Sequence, residues 1–159
     1  MTRWTIVISS MMLLAASTTS SLADDVAFTV LAPTQVMHLD RLCSRDGPGL
    51  ISSGWSPTAG QIAQAEARLP SFVTANRRPK GPLREYYRQY LGVVIGDRKL
   101  IYVNLFPRWL LERRELLGLV RHDWRTGFVD ICDGGDEFWG ALFDPEVARF
   151  FSPRFNGAA

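Results

Sequence analysis

The densest run of chemically capable side chains in the sequence is Cys132-Asp133-Gly134-Gly135-Asp136-Glu137-Phe138-Trp139-Gly140. Asp133, Asp136 and Glu137 place carboxylates on or beside a Gly-Gly pair, and oxygen ligands on a flexible backbone are what a hard cation prefers. The spacing is not that of an EF-hand loop, and a calcium ion needs several more oxygens than these carboxylates offer. Asp133 paired with Asp136 or Glu137 could instead act as general acid and base. That role requires burial to raise one pKa, which a loop between exposed strands does not promise. The same residues also satisfy plain turn chemistry, since Gly supplies positive φ and Asp bonds its own backbone. A further use is recognition. Phe138 and Trp139 point to opposite faces of a strand, so an outward Trp139 beside Asp136 and Glu137 could anchor a protein partner as interface hot spots do. Trp55 and Trp109, flanking elements in loops, divide between core and surface in the same way.

Nucleophilic chemistry has less to work with. Cys43 and Cys132 are the only cysteines, and a thiolate served by His38 or His122 would need a catalytic signature that neither histidine has. Ser52, Ser53 and Ser56 lie in a stretch without a nucleophile-elbow sequence, and His122-Asp123 is an isolated dipeptide. No metal-ligand cluster or nucleotide loop is present in the sequence, so no cofactor is expected. Arg77-Arg78-Pro79-Lys80-Gly81-Pro82, with Arg84, Tyr86, Arg88 and Tyr90 behind it, could form a basic-aromatic surface for an anion, or simply a solvated loop leading into a strand.

The elements that must position these groups follow from periodicity. Val26 to Leu31 is a short β-prone run stopped by Pro33, and Thr34 to Cys43 fits a short helix or an irregular crossing. Ser44 to Gly54 reads as a loop on its glycines and Pro48. Ser56-Pro57 opens the best helix in the chain, with Ile62, Ala65, Leu69 and Phe72 on one stripe; Pro70 should kink or end it. Leu91 to Ile95 and Leu100 to Phe106 flank Gly96-Asp97-Arg98-Lys99 as a hairpin. Trp109 to Leu117 suggests a short amphipathic helix stopped near Gly118. Phe128 to Cys132 reads as a third strand, Phe138 to Phe143 as the returning one, and Val147 to Phe155 as a last strand. The expected fold class is α+β: one main helix on an antiparallel meander of about four strands, plus a short second helix. Cystatin-like folds share this outline, a likeness of topology that carries no function.

The first residues read as a secretory signal. Arg3 supplies the positive charge, Trp4 to Ala16 an apolar stretch too short to span a bilayer comfortably, and Ser21-Leu22-Ala23 the small residues a signal peptidase reads. Cleavage is expected after Ala23, leaving residues 24–159 as a single soluble domain with no membrane anchor, in the periplasm or secreted. The chain carries 18 Lys and Arg against 16 Asp and Glu; cleavage removes only Arg3 among them, leaving 17 against 16. A near-neutral chain argues against bulk nucleic-acid binding, which runs on phosphate neutralisation. An oxidising compartment turns Cys43 and Cys132 into an expected disulfide.

Tyr86-Tyr87-Arg88-Gln89-Tyr90, Ile101-Tyr102-Val103-Asn104, Cys132 to Asp136 with Phe138-Trp139-Gly140, Asp144-Pro145 and Phe155-Asn156-Gly157 together resemble a group of small secreted bacterial proteins with no assigned function. The resemblance covers roughly Trp55 to Gly157 and implies export and a compact fold, with no catalytic residues to carry over. The function expected is therefore non-enzymatic binding of another macromolecule in the cell envelope, as inhibitor or accessory factor. The alternative is a small hydrolase or cation-dependent protein using Asp133, Asp136 and Glu137.

Overall fold

The computed structural model describes residues 27–76, 81–116 and 123–157; the expected signal peptide and His122 lie outside them. A central hairpin organises the chain. Strands β3 (Tyr86–Ile95) and β4 (Arg98–Pro107) pair antiparallel along their whole length. The turn between them is the two residues Gly96-Asp97, tighter than the four-residue turn expected. On the far side of β4 follow β5 (Trp139–Asp144) and β6 (Arg149–Phe155), each antiparallel to its neighbour. The other edge of β3 is shared end to end by two short strands. β1 (Phe28–Val30) runs parallel to it from Arg88 to Tyr90, and β2 (Ile51–Trp55) runs antiparallel from Gly92 to Ile95.

The result is a six-stranded mixed sheet where a four-stranded antiparallel meander was expected. The higher count and the mixed character come from β1 and β2 both joining β3, β1 in parallel, and two elements differ from the expected ones. The first is β2, inside the segment read as a loop. Gly54 there is not a turn residue; its α-carbon crosses so close to the Pro33 carbonyl that a β-carbon would overlap it. The second is the loss of the strand expected at Phe128 to Cys132, which pairs with no strand. Side-chain amides take its backbone groups instead. Gln89 accepts from the Val129 N–H (2.9 Å) and donates to the carbonyls of Trp124 and Gly127 (both 2.7 Å). Asn104 donates to the Val129 carbonyl (2.8 Å), and Gln35 accepts from the Phe128 N–H (3.0 Å). Buried backbone groups must find partners, and these amides substitute for a ladder.

Helix α1 (Ala59–Asn76) lies across one face. It starts two residues later than Ser56-Pro57 suggested, because Thr58 is the cap. The Thr58 hydroxyl accepts from the Gln61 N–H (3.3 Å) and the Gln61 side chain accepts from the Thr58 N–H (2.9 Å), a reciprocal capping box. Pro70 sits inside without ending it. A proline in a helix interior costs about 3 kcal/mol. Burial of Leu69 before it and packing of Phe72 and Val73 after it, at roughly 1.5–3 kcal/mol per buried apolar side chain, offsets that cost.

Ile62, Ala65 and Leu69 of α1 pack on Tyr86, Tyr90, Ile101, Val103, Leu105, Trp139, Ala141 and Phe143. The opposite face carries Leu91, Val93, Leu100, Tyr102 and Leu142, covered by a 3₁₀ segment, Pro33–Arg41, through Leu39. Coverage on both sides explains why β3 and β4 are almost continuously buried rather than alternating. The second helix, α2 (Trp109–Leu116), closes one end with Leu110 against Phe106, Trp124 and Phe138. Among the described residues no helix is long and apolar enough to cross a membrane.

Candidate functional site

The acidic turn is built as a backbone device. Asp133, Gly134 and Gly135 take φ values of 64°, 86° and 61° in succession, a left-handed run that L side chains tolerate poorly. Gly135 donates its N–H to the Gly157 carbonyl (3.0 Å) and accepts from the Phe138 N–H (3.1 Å). Asp133 is exposed, and Asp136 and Glu137 are half-buried. Among the described residues no group of His, Cys, Asp or Glu side chains is placed to hold a metal ion, so these carboxylates do not converge on a cation. Phe138 and Trp139 both point inward, 4% and 1% exposed. Trp139 is therefore not the outward aromatic. It lies between Phe72 (6.3 Å) and Phe155 (5.8 Å) because β5 is an interior strand with α1 over that face.

Cys43 and Cys132 form a disulfide, with α-carbons 5.1 Å apart and a sequence separation of 89. Neither is available as a nucleophile, and His38 stacks on Phe128 at 5.9 Å. Just inside the bridge lies Arg45. Its guanidinium donates to the Tyr102 hydroxyl (3.2 Å), Asn156 Oδ1 (2.6 Å) and Asn104 Oδ1 (2.5 Å). Asn156 in turn donates to the carbonyls of Ile131 (2.6 Å) and Asp133 (2.8 Å). Burial raises the Tyr102 pKa, against a lowering pull from Arg45. Tyr102, Asn104, Asp133 and Asn156, drawn from motifs far apart in sequence, thus meet in one polar network that holds backbone.

Of the basic-aromatic surface expected from Arg77 to Pro82 with Arg84, Tyr86, Arg88 and Tyr90 behind it, three of the side chains behind the loop are not at the surface. Tyr86, Arg88 and Tyr90 are buried beneath α1, leaving Arg84 exposed; residues 77–80 lie outside the described residues. Their burial creates a different feature. Glu66 of α1 accepts at one oxygen, Oε1, from Arg88 Nε (2.7 Å) and from the Tyr90 hydroxyl (2.6 Å). Burial is the main cause that lifts the Tyr90 pKa well above its ordinary value, with the Glu66 carboxylate adding to it. Among the described residues no donor reaches Oε2 of Glu66.

That carboxylate forms one end of an apolar groove of about 550 Å³. Phe28 and Val30 of β1 line one wall; Pro57, Ala59, Ile62 and Ala63 line the other. Val30 is 39% exposed. Among the described residues β1 is the terminal strand of the sheet on this side. Its inward bonds run through Ala27 and Leu31, whose carbonyl and N–H pair with Arg88 and Tyr90. By the alternation of a parallel ladder, the N–H and C=O groups of Phe28 and Val30 face away from the sheet. The groove and this open edge adjoin.

A second concavity, about 540 Å³, lies just before the start of β3 between Arg84, Glu85, Arg108, Trp109 and Glu112. Trp109 is 44% exposed, so the exposed aromatic looked for at Trp139 is found here. The Arg108 N–H donates to the Glu85 carbonyl (2.8 Å), fastening the two walls together. Burial, then Glu137 and Glu85, push the Tyr86 pKa up to about 12.

Neither concavity was legible in the sequence. Val30 and Glu66 are joined only by the pairing of β1 with β3 under α1, and the one available signal was Glu66 falling beside the apolar stripe of α1. No family model matches this chain, and no curated protein or solved structure is significantly similar to it.

Proposed function

We propose that this is an exported protein that carries out no reaction of its own and binds another protein, taking an extended segment of the partner onto the free edge of β1. The single observation that supports this reading is the junction of an open strand edge with an apolar groove. Edge addition draws affinity from main-chain hydrogen bonds and specificity from pockets that take alternate side chains. Here the outward backbone groups of Phe28 and Val30 supply the first. The groove between Phe28, Val30, Ile62 and Ala63 supplies the second. Side chains on the helix-facing side of the incoming strand would enter the groove, and one carrying a donor would reach Glu66.

Exposed apolar edges are normally covered or blunted by charge and proline; β1 carries neither. Two new backbone bonds and one buried Leu-sized side chain contribute on the order of 3–5 kcal/mol before association costs. That suits a weak or multi-point contact.

The test is selection from a displayed library of random extended peptides on the mature chain, followed by titration. Selected peptides should alternate apolar residues, and Val30→Pro should abolish binding. That change removes an outward N–H and leaves the bonds to β3 in place, as prolines on edge strands do. Ala63→Trp, which fills the groove, should weaken binding at least about tenfold, equivalent to about 1.4 kcal/mol. Failure to select any peptide, or equal binding to wild type and Val30→Pro, would overturn the proposal.

A further inference from the structure

The concavity beside Trp109 lies away from the β1 groove and has a different chemistry. One wall is the turn before β3, with Arg84 and Glu85; the other is the start of α2, with Arg108, Trp109 and Glu112. The indole of Trp109 is held edge-on to Phe138, with ring centroids 6.3 Å apart and planes at 87°. Phe138 is buried, so the indole is fixed from behind while nearly half of its surface remains open. The Arg108 guanidinium lies over Tyr87 at 4.8 Å, which sets its plane. Arg84, Glu85 and Glu112 are exposed around the rim.

We propose that this concavity is a saccharide-binding site for neutral, hydroxyl-rich rings. The lining decides the ligand class by what it balances. Among the described residues two guanidiniums line it with two carboxylates, so the described lining carries no surplus of either charge. A phosphate- or carboxylate-bearing ligand would need surplus cation. A purely apolar ligand would strand the charged rim without water, at a cost that its own burial does not repay. A sugar ring fits both parts of the lining. Its C–H face is apolar and lies flat on an aromatic surface, where weak C–H contacts add to area burial. Its hydroxyls each donate and accept, matching carboxylates that only accept and guanidiniums that only donate. A volume of about 540 Å³ lies within the usual range of small-molecule sites and accommodates a short oligosaccharide.

The ligand is assigned by that chemistry, and glycan polymers of the cell envelope are one source of it. The experiment uses the mature chain against immobilised neutral oligosaccharides (cello-, malto- and chito-series) alongside sulfated and uronic-acid glycans, with calorimetric titration of every hit. Saturable binding to at least one neutral series is expected. Trp109→Ala should weaken it by about tenfold or more, and Trp109→Phe, which keeps an aromatic face, should retain most of it. Glu112→Gln, an exposed change that leaves the packing on Phe138 untouched, should weaken it severalfold at an unchanged melting temperature. That keeps the test valid if Trp109→Ala disturbs the fold. No neutral glycan bound below about 10 mM, preferential binding of the anionic glycans, or binding indifferent to both Trp109→Phe and Glu112→Gln would overturn the assignment.

Discussion

The Arg45 guanidinium meets Tyr102, Asn104 and Asn156, which places a charged side chain where a small protein usually puts an apolar one. Each acceptor depends on it, and a buried polar group left unpaired costs about 1–3 kcal/mol. Arg45→Met keeps the stem and removes the donors. Its unfolding free energy should fall by about 3 kcal/mol or more, read from the urea midpoint, and a loss under about 1 kcal/mol would show that water replaces the guanidinium. Asn156 explains why an Asn-Gly pair stands at the end of the chain: its amide bonds the Ile131 and Asp133 carbonyls. The residue types of the acidic turn were legible as turn chemistry, and the left-handed run from Asp133 to Gly135 is that chemistry carried out. What could not be read was the inward direction of Trp139. A strand buried on both faces gives no polar alternation from which to assign the outward side.

At the scale of elements, legibility followed periodicity. The stripe of α1 and the β3–β4 hairpin carry repeats that few other structures satisfy. β2 was hidden because Ser52, Ser53 and Gly54 look like a loop, whereas Ser52 donates to the Val94 carbonyl at 3.2 Å and Gly54 permits a close crossing. The segment from Phe128 imitated a strand because it is rich in aromatic and β-branched residues, but its backbone bonds to Gln89 and Asn104, amides that no local pattern links to it. The same hairpin holds Tyr86, Tyr90 and Tyr102, each at most 1% exposed and each with its pKa raised, burial being the largest cause. A phenol with a folded pKa above its unfolded value favours the native state fully below about pH 10, the unfolded value. That contribution is lost as pH climbs through the folded pKa. Stability should therefore hold up to about pH 10 and fall above it, by up to about 1.4 kcal/mol per pH unit for each phenol. In an alkaline titration, tyrosinate absorbance from these phenols should rise together with loss of circular dichroism. Early, non-cooperative ionisation of all of them would refute their burial.

At the scale of the whole molecule, the disulfide joins the crossing before β2 to the turn before β5. Closing a loop whose ends are separated by 89 in sequence stabilises by roughly 4–5 kcal/mol in the chain-entropy model. Reduction, or Cys43→Ser with Cys132→Ser, should lower the melting temperature by on the order of 10 °C. A shift of only a degree or two would mean that the Arg45 network alone holds the two segments. Topology has a temporal consequence as well. β1 and β2 come first among the described strands, yet among the described residues the only strand either one pairs with is β3, and Phe28 waits for Arg88. A chain emerging amino end first, from a ribosome or through a translocation pore, therefore presents two strands with nothing to pair to until the hairpin follows. Native structure cannot begin at the leading end. It must start in the middle and gather the earlier strands afterwards, which keeps the leading half threadable for as long as the rest is still in transit.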